Sequence, residues 1–111
     1  MSTFSEKGLL GELEQLVLLA IPQADRPAYA ASIRDAIEAR TGISLARGSV
    51  YVALDRLDRK GYVTSWFADP TAERGGKAKR CFEVTVAGRR ALAAAEQAVA
   101  RMRASRPARI R

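Results

Sequence analysis

The side chains best equipped for chemistry in this chain are cations and hydroxyls, and their placement suits contact with a polyanion. Arg47, Ser49, Tyr51, Val52, Asp55, Arg56 and Arg59 share the outward face of a short periodic stretch. Four more cations, Arg74, Lys77, Lys79 and Arg80, surround the pair Gly75-Gly76. Arginine and lysine neutralise phosphates, and arginine, serine and tyrosine can hydrogen-bond to phosphates or base edges. Catalytic chemistry is poorly supplied. Histidine is absent, which removes the commonest general base and the commonest metal ligand. Cys81 is the single cysteine, cannot form an internal disulfide, and reads as a small strand residue in a reducing compartment. There is no phosphate-binding glycine motif and no carboxylate pair in an evident pocket. The expectation is a protein that is not an enzyme and holds no catalytic residue, metal or cofactor.

The charge is unevenly distributed. Residues 1–73 hold 8 Lys/Arg against 10 Asp/Glu, and residues 74–111 hold 11 against 2, so the stated +7 comes almost wholly from the last third. A basic face attracts nucleic acid or an anionic membrane, and its bland alternative is a solvated surface that keeps the chain soluble. At 111 residues, 48% hydrophobic and 28% charged, the chain reads as one folded domain. No apolar run approaches the roughly 20 residues needed to span a bilayer. Leu16 to Ile21 is short, and its acidic flank (Glu12, Glu14) is wrong for a signal peptide. A cytoplasmic protein with no membrane partner is expected.

The elements that must position the cations follow from periodicity. A first helix spans Leu9 to Ile21, apolar over most of its circumference in the second half and limited by Pro22. A second runs from about Ala28 to Arg40, with Tyr29, Ile33 and Ile37 on one face and Thr41-Gly42 ending it. The third has Ser44 as its expected N-cap, with Ser49 as the competing start. From Ser44, the link to the second helix would be about four residues, which suits a helix-turn-helix. Val50, Ala53, Leu54 and Leu57 form its buried stripe, and Gly61 supplies the left-handed cap. Tyr62 to Phe67 reads as a strand, residues 69–80 as a loop punctuated by Pro70 and Gly75-Gly76, and Cys81 to Thr85 as a second strand with Phe82 and Val84 on one side. Thr85 caps a last helix, Val86 to about Arg103, on which Leu92, Ala95, Val99 and Met102 make a seam.

This order predicts an α+β, mainly α fold: a winged helix-turn-helix with an added C-terminal helix, whose seam is a candidate for dimerisation. The divisions are a tail at 1–8, the winged head at 9–85, the last helix at 86–103 and a basic tail at 104–111. The third helix would enter a major groove, and the basic loop would lie on the neighbouring backbone or minor groove. Arg47 and Ser49 are placed for contact with DNA. Tyr51 has two open roles, hydrogen-bonding a phosphate or packing beneath the wing. Arg56 and Arg59 either face the duplex or pair with Asp55 or Asp58. The rival to DNA binding is a winged-helix protein-interaction module that uses the seam for another partner.

With these elements go Gly11-Glu12-Leu13-Glu14 ahead of Leu16-Val17-Leu18-Leu19, Ala28-Tyr29-Ala30-Ala31-Ser32-Ile33, Gly48-Ser49-Val50-Tyr51, Lys60-Gly61-Tyr62-Val63 and the stretch from Arg80 to Gly88. Over residues 9 to 102 the chain resembles the PadR family of bacterial transcriptional regulators, in a short form with a single C-terminal dimerisation helix. Tyrosine in the reading helix, joined to the wing exit Arg80-x-Phe82-x-Val84-Thr85-x-x-Gly88, is the most particular part of the match. The resemblance implies a homodimeric repressor on double-stranded DNA, with a pseudopalindromic operator and release by a small molecule or other signal. Carried over by position, it implies DNA contacts at Ser44, Gly48, Ser49, Tyr51 and the cations Arg74, Lys77, Lys79 and Arg80. It also implies a dimer interface at Leu92, Ala95, Val99 and Met102, joined by Leu13 of the first helix. Some family members bind drug-like ligands between tryptophans of the dimer helix. Trp66 lies instead in a wing strand, where it reads as an anchor for the wing base.

Overall fold

The computed structural model describes residues 9–68 and 78–104. Four helices and a two-stranded antiparallel sheet follow one another in the expected order. Helix α1 spans Glu12–Ala20 and passes into a 3-10 turn at Ile21–Gln23 that contains Pro22. It begins later than expected because Gly11 is extended, and the Glu14 carboxylate reaches back to accept the Gly11 N–H at 2.9 Å. The same carboxylate accepts from Lys60 Nζ at 2.9 Å, which ties α1 to the far end of the third helix. Val17, Leu18, Ala20 and Ile21 are buried, while Leu9 and Leu19 lie exposed.

Helix α2, Ala30–Thr41, starts two residues after the expected Ala28. Ser32 Oγ accepts the Tyr29 N–H, and Ala28–Tyr29 is drawn away into pairing with the sheet, where the Phe82 N–H donates to the Ala28 carbonyl at 2.9 Å. Ile33 and Ile37 are buried, and Gly42 closes the helix in the left-handed region at φ 73°.

Helix α3, Arg47–Arg59, corrects the expected cap. Neither Ser44 nor Ser49 begins it. Ala46 occupies the N-cap position in extended backbone, and its carbonyl accepts the Ser49 N–H at 3.1 Å. Apolar packing sets this boundary: Leu45, just before the cap, packs on the core that holds Val50 in the first turn, the arrangement of a hydrophobic staple. Val50, Ala53, Leu54 and Leu57 are buried as the spacing predicts. Complete burial of a valine or leucine contributes roughly 1.5–3 kcal/mol, so this stripe outweighs the absence of a side-chain cap. At the other end Gly61 takes φ 80°, the Tyr62 N–H donates to the Leu57 carbonyl and the Gly61 N–H to that of Asp58, which completes a Schellman turn.

Strands β1, Val63–Phe67, and β2, Arg80–Val84, pair with Val63 opposite Val84 and Trp66 opposite Cys81. Cys81 and Phe82 are both buried, because β2 has the Ala28–Tyr29 segment along its second edge. Helix α4, Val86–Arg103, is capped by Thr85, whose Oγ accepts the Gly88 N–H at 3.0 Å and donates to the Gly61 carbonyl at 2.8 Å. No described helix is long and apolar enough to cross a membrane.

Candidate nucleic-acid interface

The first turns of α3 present an exposed row of Arg47, Gly48, Ser49, Tyr51, Val52 and Arg56, with Ile43 and Ser44 exposed on the approach. Helix packing explains the row, since the opposite side of the same turns carries the buried stripe. Arg59 pairs with Asp55 one turn earlier. Arg56 makes no ion pair among the described residues, so the two arginines part ways on the alternative left open by sequence.

The wing is fastened to this helix by a compact polar cluster. Arg80 of β2 donates through Nη2 to Asp58 at 2.6 Å and through Nη1 to the Tyr51 hydroxyl at 3.1 Å. Ser65 of β1 donates to the same Asp58 carboxylate at 2.9 Å, and Asp55 lies 3.9 Å from Arg80. The guanidinium carbon is 5.1 Å from the Phe82 ring centre, within cation–π range. The hydrogen bond to Tyr51 and then the pairing with Asp58 hold the Arg80 guanidinium more firmly protonated than an ordinary arginine, against an opposing effect of burial. Arg80 is therefore held inside the protein surface, unlike the free wing cation that sequence suggests. Lys79 is exposed, with Nζ 4.3 Å from the centre of the Tyr29 ring. Arg74 and Lys77 lie outside the described residues.

The seam expected on α4 divides in two. Ala95 is fully buried in the core of its own chain, with Gly88 and Ala91, and Leu92 is half-buried. Val99 (44%) and Met102 (78%) are exposed on the half of α4 that has left the head. Steps of three and four residues keep these positions on one side of the helix, so the division lies along its length: the core of the head covers Ala95 and leaves Val99 and Met102 bare. Leu13 is half-buried in a groove shared with Gly48, Ser49, Val52 and Arg56, on the side of α3. The exposed apolar residues flanking α1 are Leu9 before it and Leu19 within it. Between α1, the wing and α4 lies a cleft of about 660 Å³, lined by Leu18, Leu19, Trp66, Val84 and Leu92 among others, with Arg26, Glu83 and Arg89 in its walls. Trp66 is 43% exposed and forms part of that wall.

This geometry agrees with the comparisons. The model of the transcriptional regulator PadR-like family matches residues 17–94. The chain belongs to that family. Among solved structures, a PadR family transcription regulator from Clostridium difficile is 20% identical with a TM-score of 0.68, over 84% of this chain and 92% of that one. A PadR-like transcription factor from Bacteroides fragilis is 20% identical with a TM-score of 0.68, over 82% of each chain. A PadR family regulator from Eggerthella lenta is 24% identical with a TM-score of 0.59, over 86% of this chain and 88% of that one. At these identities the likeness is one of fold. No curated protein matches.

This PadR-like chain thus has the role of a transcriptional regulator, built on a winged helix. Its sequence left the Asp58–Arg80–Tyr51 cluster hidden, because the pairing joins residues 22 and 29 positions apart across the helix–wing junction. The readable signal was the presence of Asp55 and Asp58 on a helix that otherwise carries arginines and hydroxyls.

Proposed function

We propose that this PadR-like chain acts as a homodimer that binds duplex DNA sequence-specifically and represses transcription until a small molecule or other signal releases it. The observation that carries the reading is the exposed row Arg47, Gly48, Ser49, Tyr51 and Arg56 on a helix whose other side is locked into the core. The first turn of α3 has no side-chain cap, and its Arg47 and Gly48 amides, unlike that of Ser49, are available to a phosphate. Ser44 borders that turn, and Lys79 with Arg74 and Lys77 of the wing supplies cations for the adjoining backbone.

Val99, Met102, Leu92 and Leu19 supply apolar surface for a second copy. In this reading Leu13 and Ala95 contribute packing within one chain. The dimer helix is built into the head: the Thr85 N–H donates to the Tyr62 carbonyl at 3.0 Å, and Gly88 lies against the same carbonyl. A change in the angle between two α4 helices would therefore move each reading helix as part of one body and alter the spacing of the two heads. The cleft beneath Trp66 touches α1, the wing and α4 together, so a signal that filled it would reach all three.

The test is a fluorescence-anisotropy titration of duplex DNA from upstream of this protein's gene, against a scrambled duplex, across a salt series. Preferential, salt-weakened binding that saturates at two chains per duplex is the expected result. No binding at low salt would reject the reading and favour a protein partner for the same surface.

A further inference from the structure

We propose that Arg80 is a positioning residue for DNA recognition: from the wing it holds the Tyr51 hydroxyl as a hydrogen-bond donor aimed at the duplex, and itself contacts no phosphate. The inference rests on the DNA-binding reading above. A guanidinium has donors and no acceptor, whereas a phenol hydroxyl has one proton and accepting lone pairs. With Arg80 Nη1 donating to the Tyr51 oxygen at 3.1 Å, the hydroxyl proton must point elsewhere. Tyr51 is 43% exposed on the face that carries Arg47 and Ser49, and no described residue accepts that proton. The positive charge behind the oxygen polarises the O–H bond and makes it a stronger donor. Phosphate oxygens, guanine N7 and O6, and thymine O4 are acceptors that such a donor would meet in a major groove.

Arg80 is badly placed to meet a phosphate itself. Its side chain is only 19% exposed, both ends of its fork are occupied by Asp58 and Tyr51, and Asp55 adds a second carboxylate. Its charge is neutralised within the protein. The fork is also what the arrangement requires, because a lysine ammonium is a point charge that cannot reproduce the planar geometry spanning Tyr51 and Asp58.

The experiment uses a duplex selected by the wild-type chain from a random pool. Anisotropy titrations across a salt series compare Tyr51→Phe, Arg80→Met, Arg80→Lys, the double variant Arg80→Met with Tyr51→Phe, and Arg47→Met. Each Tyr51 or Arg80 single variant is expected to weaken binding about tenfold per protomer, the size of one charge-assisted hydrogen bond. The double variant should be no weaker than the singles, since both remove the same contact. The slope of log affinity against log salt should stay at the wild-type value for the Arg80 variants and flatten by about one per protomer for Arg47→Met. Wild-type affinity in Arg80→Lys, a flattened slope in Arg80→Met, or additive losses would each overturn the proposal. Should Arg80→Met fail to fold by circular dichroism, the cycle is run with Arg80→Lys. A wild-type chain that selects no duplex would overturn the DNA reading first, before any variant is made.

Discussion

Two glycines show how one residue type serves opposite ends at the scale of single side chains. A Cβ at Gly88 would fall 2.1 Å from the Tyr62 carbonyl oxygen and 3.1 Å from Val84, so backbone would have to move. Alanine gains about 1 kcal/mol of helix propensity over glycine, but overpacking a close backbone contact costs about 1–3 kcal/mol. The steric cost should win, and Gly88→Ala is expected to lower the urea midpoint with an unchanged m-value. An unchanged or raised midpoint would mean that α4 is not seated on the Tyr62 turn. Gly48 has open space where its Cβ would be. Gly48→Ala should therefore leave stability unchanged or raise it by up to about 1 kcal/mol, since the same propensity gain meets no steric cost. Its added methyl would nevertheless stand on the row proposed to face DNA. We expect weaker duplex binding at a melting temperature no lower than the wild type's, and full affinity would remove Gly48 from the interface.

At the scale of elements, α4 has two halves with different work. Thr85, Gly88, Ala91 and Ala95 fix the first half to the head, and Val99 and Met102 are left exposed beyond it. Val99→Asp or Met102→Asp should convert a dimer to chains of 12.1 kDa in light scattering. Aspartate also opposes the helix dipole near a C-terminus, by about 0.3–1 kcal/mol, so Val99→Lys serves as the control that suits that end. A retained dimer in all three would place the interface elsewhere. The elements themselves were largely legible in sequence: the stripe Val50–Ala53–Leu54–Leu57, the turn at Gly61 and the Thr85 cap each depend on contacts a few residues away. The start of α3 was not, because packing of Leu45 on the core that holds Val50 competed with two serines of good capping type. Nor was the inward turn of Ala95, since the seam's period is the same whether a partner or the chain's own core covers it. The Arg80 cluster was hidden for a third reason: charge counts cannot tell a cation that faces solvent from one already matched by Asp58.

For the whole molecule, the joint between α4 and the head would couple the proposed dimerisation to the proposed reading of DNA. If two chains associate through the exposed half of α4, folding and association are linked, and apparent stability rises with protomer concentration. The melting temperature of the wild-type chain should therefore climb over a hundredfold concentration series, while Val99→Lys should melt at one temperature throughout. The same variant tests what dimerisation contributes to binding. Two heads on one duplex multiply their affinities through effective concentration, so a monomer that keeps every α3 side chain should still bind far more weakly. Its salt slope should fall toward half of the dimer's, because half the phosphates are neutralised. A monomeric variant that kept both the affinity and the slope of the wild type would show that each head reads DNA alone, and would leave α4 without a part in regulation.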